Sequence, residues 1–558
     1  MKELLWNILS QIQLPEITTF GDEQELPLLV HDINRYLQDR RYLIIIDDLW
    51  KQSDWDIIKD AFPQNSMYSR VIVTTSLGSV AESCCFSTDY CGYVHEVGPM
   101  SEQDSKLLFR KTAHSEVSFP NYLEEEVLRK CAGIPLFISG MADWLREQKE
   151  EQLKLPTMLK QFERSLSPAY DDLPHWLKVQ LLYVAMFPQG YIFAKSSFTK
   201  RLDAEMLTYP SCTEEDYFGE LIDRNIITRV KSSSKQSRQA EEEGCHWQVN
   251  YFMLHFLASK SAANGFVYTS GTLKNSGDNK PRRLSLHEPD LQLPSLLEEM
   301  NLSYTRSLVV SGVVSGIPLD KLIFLKVLDL EGWCCFEEQH WLAICKLFLL
   351  RYLSLRKTLV RKLPPKIKDL YKLETLDLSH TQITELPSQM CELAGLRMLD
   401  LRGTPVMRLP KQFQKMRQLR HLLLGGNGVD NPNTTVTQVP EEIRYLCDLD
   451  TLAVDLSGCS PSLLEALGSI WKLRVLAINC SFHQSTDRKF QETLCSCIEK
   501  WEQLEALTIH CEPGCHMEFL SSDILVQTRW LMKFKVTGGR FLNFPRWLNK
   551  LDCWNALC

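Results

Sequence analysis

One spacing constrains the fold more than anything else in the chain. The segments "LKVLDL", "LRYLSL", "LETLDL", "LRMLDL", "LRHLLL", "LDTLAV", "LRVLAI" and "LEALTI" begin at residues 325, 350, 373, 396, 419, 449, 473 and 504, and the three steps from 350 to 419 are each 23 residues. Leucines at L-x-x-L-x-L on a fixed period call for a short strand per repeat, with the leucines inward and the intervening residues outward. Thr358, Thr381 and Thr404 keep the same period and stand where a turn needs a side chain to bond backbone. Pro364, Pro387 and Pro410 share it too, at an "LP" that turns the chain into the outer segment. Amphipathic helices with leucine stripes would not carry prolines in phase with the leucines, because proline breaks a helix interior. The carboxyl-terminal half therefore reads as a leucine-rich-repeat solenoid. Its outward positions Arg351, Tyr352, Glu374, Asp377, Arg397, Asp400, Arg420 and His421 form a mixed-charge strip. Solvation alone accounts for polar outward positions, but solenoids commonly bind protein on this face, and protein recognition is the preferred reading.

At 558 residues the chain exceeds one ordinary core, so other domains precede the repeats. A net charge of -8 without a basic stripe disfavours nucleic acid as a partner. The 19 cysteines fall inside apolar patterns such as "ESCCF" and "LCSCIEK", which suits reduced, buried thiols in a cytoplasmic protein. "HCEPGCH" places His510, Cys511, Cys515 and His516 together, yet lacks the paired spacing of a zinc knuckle and reads better as a repeat loop. At the amino terminus, Leu4, Leu5, Ile8, Leu9 and Ile12 make an amphipathic helix rather than a secretory leader, and no run approaches the ~20 apolar residues of a membrane span. "KSSSKQSRQAEEEG" (Lys231 to Gly244) reads as a long loop and "SGTLKNSGDNKPRR" (Ser270 to Arg283) as a linker.

Ahead of the repeats, "YLIIIDDLW", "SRVIVTTS" and "YVHEVG" are short β-rich runs separated by helical pattern, as in a parallel α/β sheet. The first ends in Asp47 and Asp48. In nucleotide-hydrolysing sites a carboxylate at a strand end holds Mg²⁺ and a second acid orients water, while elsewhere the same pattern is a turn former or helix cap. The segments downstream of "DDLW" add weight to the first meaning: "SRVIVTTS", "YVHEVGPMSEQDSKLLF", "CAGIPLFISGMADWL", "LPHWLKVQLLYVAMFPQGYIF" and "YFGELIDRNII" come in this order before the repeats. Together these segments resemble the plant NB-ARC leucine-rich-repeat disease-resistance receptors, over nearly the whole chain. The tryptophan after the acid pair resembles the coiled-coil class, as does "FPRWLNKL" near the end.

The resemblance implies a multidomain protein: a partial α/β P-loop-type nucleotide-binding domain (1–98), a helical subdomain (99–165), a winged-helix subdomain (166–269), a linker (270–283) and repeats (284–558). It implies that Asp47 and Asp48 occupy the Walker B acids, with Asp47 on Mg²⁺ and Asp48 in the catalytic position, and that Pro135 in "GIPL" packs on adenine. Such receptors rest with ADP bound and open on exchange for ATP, a two-state switch leading to self-association. Their partners would be a pathogen effector or a guarded host protein. The winged helix, in this family a nucleotide lid, lacks a basic cluster for DNA.

The departures fall on the phosphate contacts. G-x-x-x-x-G-K-[ST] supplies the N–H cradle and lysine for phosphates, and Gly-Lys occurs nowhere in the sequence. Thr75 keeps its place in the family's "TTR", but the sensor arginine is Ser76, and the "MHD" histidine aligns with Asn250 in "VNY". The expectation is a chain that begins inside the nucleotide-binding domain and is impaired in nucleotide binding, with hydrolysis not expected. Its sheet should expose edges and apolar faces. A nucleotide-independent repeat scaffold, a decoy or a remnant is the alternative.

Overall fold

The computed structural model describes residues 2–12, 26–65, 67–85, 92–113, 121–147, 162–163, 166–167, 170–171, 173–208, 214–223, 226–230, 246–274, 280–425, 437–480, 488–521 and 530–541. The stretch Lys231 to Gly244, residues 275–279 of the expected linker and the closing "FPRWLNKL" lie outside them. Before the repeats the elements run α1 (Lys2–Ile12), α2 (Leu26–Leu37), β1 (Leu43–Ile46), α3 (Gln52–Ile58), β2 (Arg70–Val73), α4 (Gly78–Cys85), α5 (Glu102–Thr112), α6 (Asn121–Cys131), α7 (Pro135–Glu147), α8 (His175–Tyr183), β3 (Ile192–Ala194), α9 (Lys195–Glu205), α10 (Glu214–Asp223), β4 (Ile227–Arg229), β5 (His246–Val249) and α11 (Tyr251–Ala263). Strands β6 (Tyr268–Thr269), β7 (Arg283–Leu286), β8 (Ser307–Val310), β9 (Val327–Asp329), β10 (Tyr352–Ser354), β11 (Thr375–Asp377), β12 (Met398–Asp400), β13 (His421–Leu423), β14 (Thr451–Asp455), β15 (Val475–Cys480), β16 (Ala506–His516) and β17 (Lys533–Arg540) follow, with helices or 3-10 turns between most of them. The chain divides into two compact units, Met1–Leu153 with Cys212–Thr228, and Lys154–Ser211 with Arg229–Cys558.

In the first unit, α1 buries Leu5 and Leu9 and α2 buries Leu29, Ile33 and Leu37, the spacing that puts apolar residues on one helix face. They join Ile46, Trp55, Ile58 and Phe62 in one core. β1 and β2 pair in parallel with Ile46 opposite Val73. One face of this pair lies open: Leu43 and Ile45 are each 63% exposed and Ile72 is 49% exposed. Parallel sheets are ordinarily covered on both faces, so the apolar exposure expected from the sequence is present. The third β-rich run corrects the reading: Tyr93 to Gly98 forms no strand, and Tyr93 and Val97 stand exposed. A strand exists only by pairing, and this unit's described sheet consists of β1 and β2.

The second unit contains α8, whose Leu177, Leu181, Leu182 and Tyr183 are buried, and β3, which pairs antiparallel with β5. Strands β6 to β17 form one parallel sheet in chain order. In the regular stretch Tyr352 lies opposite Thr375, Thr375 opposite Met398 and Met398 opposite His421, so the sequence period is the register. Leu353, Leu376, Leu399 and Leu422 are fully buried. The in-phase threonines do what the turn requires: Thr358, Thr381 and Thr404 donate Oγ1 hydrogen bonds to the carbonyls of Leu355, Leu378 and Leu401 at 2.6, 2.7 and 2.6 Å. Pro364, Pro387 and Pro410 each precede a short 3-10 turn. The sheet starts earlier than the leucine-rich segments of the sequence pattern, at β6.

Candidate nucleotide site and repeat face

β1 delivers Asp47 and Asp48 at its carboxyl end, and one neighbour fixes both. The Thr74 hydroxyl donates to Asp47 Oδ1 at 2.5 Å and accepts from the Asp48 N–H at 2.9 Å. The Leu49 N–H donates to the Thr74 carbonyl at 2.9 Å, continuing the pairing of the two segments beyond their strands. Asp48 has φ +60°, a left-handed conformation that aspartate tolerates better than most residues. Both carboxylates are exposed. Thr74 escaped the sequence reading. Equal strand lengths were the available signal, because pairing Ile46 with Val73 sets Thr74 beside Asp47.

The other candidates are held differently. Thr75 Oγ1 accepts from the Leu77 N–H at 3.1 Å, a local turn, and Ser76 is exposed. Pro135 is exposed at the first position of α7, where its missing N–H costs nothing. Its approach is built by Ala132 and Gly133, both at positive φ (50° and 74°). Gly133 is required, since a Cβ there would stand 2.7 Å from the Met100 carbonyl oxygen, and the Met100 N–H donates to the Gly133 carbonyl at 2.9 Å. Asn250 belongs to the second unit and caps α11, its side chain accepting from the Phe252 and Met253 N–H groups at 3.0 and 3.4 Å. Capping accounts for this residue as an ordinary helix start. Hydrogen bonds thus gather Asp47, Asp48 and Thr74, while Pro135 and Asn250 stand on elements of their own.

The repeat face departs from the expected strip. Arg397 and Arg420 are exposed, and Arg351, Glu374 and His421 are half-buried, with Glu374 between Arg351 at 3.0 Å and Arg397 at 3.7 Å. Tyr352, Asp377 and Asp400, however, are only 2%, 8% and 1% exposed. Tyr352 is covered by α9, whose Ala204 packs with it and with Val327. Asp377 turns back to accept from the N–H and hydroxyl of Ser379 at 2.9 and 2.6 Å. Asp400 accepts from Arg402 in the same way, with the guanidinium added. An outward position on a three-residue strand is therefore not an exposed one. Burial, then the neighbouring Asp400 charge, pushes the Asp377 carboxyl up to about 7. Burial resists ionisation of Asp400 as well, but the Arg402 charge and hydrogen bonds outweigh it and hold that carboxyl low. Burial, Lys200 and Arg420 push His421 down to about 3, so its 3.2 Å contact with Asp450 involves a neutral imidazole. His510 Nδ1 meets Thr537 Oγ1 at 2.5 Å and His516 faces outward, whereas Cys511 and Cys515 are buried, so the strand's alternation separates the histidines from the thiols.

The NB-ARC domain model matches residues 1–118 and the leucine-rich repeat region model matches 304–399 and 380–556. The chain thus carries an NB-ARC domain followed by leucine-rich repeats. Its curated relatives are disease-resistance proteins of rice, Oryza sativa subsp. japonica: it is 30% identical to Pik-2 over 64% of this chain and 37% of that one, and 32% identical to RGA5 over 66% and 35%. The chain accordingly spans little more than a third of the length of the relatives it matches. A leucine-rich-repeat protein of Leptospira interrogans is similar at a TM-score of 0.34 and 15% identity, over 48% of this chain and 70% of that one. NB-ARC domains bind nucleotides, which suggests ADP or ATP. Among the described residues no helix is long and apolar enough to cross a membrane.

Proposed function

We propose that the chain is part of a plant innate immune receptor whose repeats recognise a pathogen effector or a guarded host protein, and whose nucleotide switch is weakened. The layout is a nucleotide-binding domain (1–98), a helical subdomain (99–165), a winged-helix subdomain (166–269) and repeats (284–558). The observation that carries the reading is the acid pair, presented at a strand end by a threonine that holds Asp47 and Asp48 together. Two exposed carboxylates have the chemistry to hold Mg²⁺, which when bound would screen the phosphates of ADP or ATP. The phosphate side departs from the family pattern: the sequence has no Gly-Lys, Ser76 stands at the sensor position, and Asn250 caps its helix through Oδ1 while its Nδ2 has no hydrogen-bond partner among the described residues. These residues support no hydrolytic step.

Calorimetry of ADP and ATP binding on the full chain, with Asp47→Ala as control, tests this. The expected outcome is weak, Mg²⁺-dependent binding that the substitution abolishes. Binding that is unaffected by Asp47→Ala would refute the assigned site. No binding at all, with the repeats folded by circular dichroism, would favour the second reading, a nucleotide-independent protein-binding scaffold.

A further inference from the structure

Within the second unit, α9 lies on strands β7 to β10 through two buried charged pairs and a small apolar contact. Arg201 pairs with the Asp329 carboxylate, its Nη2 donates to the Tyr191 hydroxyl at 3.0 Å and its Nε to the Tyr352 hydroxyl at 3.4 Å. The guanidinium also stands 5.1 Å from the Phe187 ring centre and 5.5 Å from that of Tyr352. One helical turn later, Glu205 receives Arg283 Nε and Nη2 at 2.9 and 2.7 Å and the Ser307 hydroxyl. Between them Ala204 touches Val327 and Tyr352. The side chains are 2% and 1% exposed for Arg201 and Asp329, and 6% and 0% for Arg283 and Glu205.

Residues i and i+4 share a helix face, so Arg201 and Glu205 present one pattern, read by an acid on β9 and a base on β7. Such desolvated pairs contribute little net stability compared with apolar packing, because each charge gives up its water. They do confer selectivity, since a helix lacking either charge leaves its partner buried and unpaired. Apart from Val327 and the ring of Tyr352, what α9 would leave behind is Asp329, Arg283, Ser307 and a tyrosine hydroxyl, all groups that water solvates.

We propose that this strand face is a helix-reading surface, filled by α9 in this structure, which also takes a partner protein's helix carrying arginine and glutamate one turn apart with a small residue before the glutamate. The proposal rests on reading the repeats as a protein-recognition surface and names the chemistry of what they recognise. A partner of this kind competes with α9 and gains entry only as α9 withdraws.

The test uses the full chain and a labelled, end-capped peptide of residues 195–205, KSSFTKRLDAE, followed by fluorescence anisotropy. The wild-type chain, filled in cis, is expected to bind it weakly. Chains carrying Arg201→Ala or Glu205→Gln are expected to bind at least about tenfold more tightly, with an Ala-for-Arg peptide losing about that factor again. Asp329→Asn added to either variant is expected to abolish the gain. Glu205→Gln keeps the side chain's shape and hydrogen-bonding oxygen, so it decides the matter should Arg201→Ala fail to fold. A variant with a wild-type circular dichroism spectrum that binds both peptides equally, or neither, overturns the proposal. Such a failure would leave the exposed Arg397 and Arg420, and recognition by them, untouched.

Discussion

The open face of the β1–β2 pair can be tested by comparing two adjacent isoleucines. Ile45 is 63% exposed and Ile46 is 3% exposed, on one four-residue strand with the same backbone pairing. Ile46→Ala removes a side chain from the core built on Leu5, Leu29 and Ile58 and is expected to cost about 2–5 kcal/mol. Ile45 has surrendered little more than a third of its surface, and full burial of such a side chain is worth about 1.5–3 kcal/mol, so its loss is expected to cost about 0.5–1 kcal/mol. The intrinsic strand preference lost on going to alanine is common to both and cancels in the comparison. Hydrogen exchange read by mass spectrometry over residues 43–46 measures the opening free energy of this strand in each variant. A cost at Ile45 equal to that at Ile46 would refute the argument, because it would mean that the face is covered in solution.

Three further outcomes are expected from the geometry. The Asp48 amide, held by one threonine hydroxyl at an exposed strand end, is expected to exchange at least about a hundredfold faster than that of Leu376 in the middle of the sheet, and equal protection would contradict the open end of the β1–β2 pair. Thr381→Val keeps the volume but deprives the buried Leu378 carbonyl of its 2.7 Å partner, an expected loss of about 1–2 kcal/mol in urea unfolding; no loss would deny the threonine its turn role. The Asp377 carboxyl titrates near 7 in the folded chain, by burial and then by Asp400, and near 4 when unfolded. Because its folded value is raised, it penalises folding progressively as pH climbs from about 4 to about 7, with a ceiling of roughly 4 kcal/mol. Asp377→Asn is expected to flatten that decline and raise the melting temperature at pH 8 but not at pH 4, and a parallel shift at both pH values would rule out titration as the cause.

What was legible in the sequence was whatever repeats or alternates locally. The 23-residue step gave strands, register, threonine turns and proline starts, because each repeat buries its leucines by the same local geometry. The LIIID run gave its strand and its acid pair for the same reason. Pairing partners were harder to see: Tyr93 to Gly98 has strand composition but no strand neighbour among the described residues, and composition does not encode a neighbour. Thr74 was missed because its role depends on two strands ending level. Tyr352, Asp377 and Asp400 looked outward because strand alternation says which side a residue takes and nothing of what else lies there, whether α9, Ser379 or Arg402. Asn250, aligned with a ligand-binding position, also caps its own helix through its side-chain oxygen, a contact that the alignment did not reveal.

The even register from β10 to β13 bears on heredity as well as on folding. Because Tyr352, Thr375, Met398 and His421 occupy equivalent places, excising residues 375–397 would join Glu374 to Met398 and leave every remaining strand a neighbour of the kind it had before. Duplication of the same stretch would be as harmless. A gene of this construction can therefore lengthen or shorten its product in steps of 23 codons through misaligned recombination. Each step would shift the charges on one side of the molecule past one another while the interior stays intact, so new combinations of surface residues can arise without first passing through a misfolded ancestor.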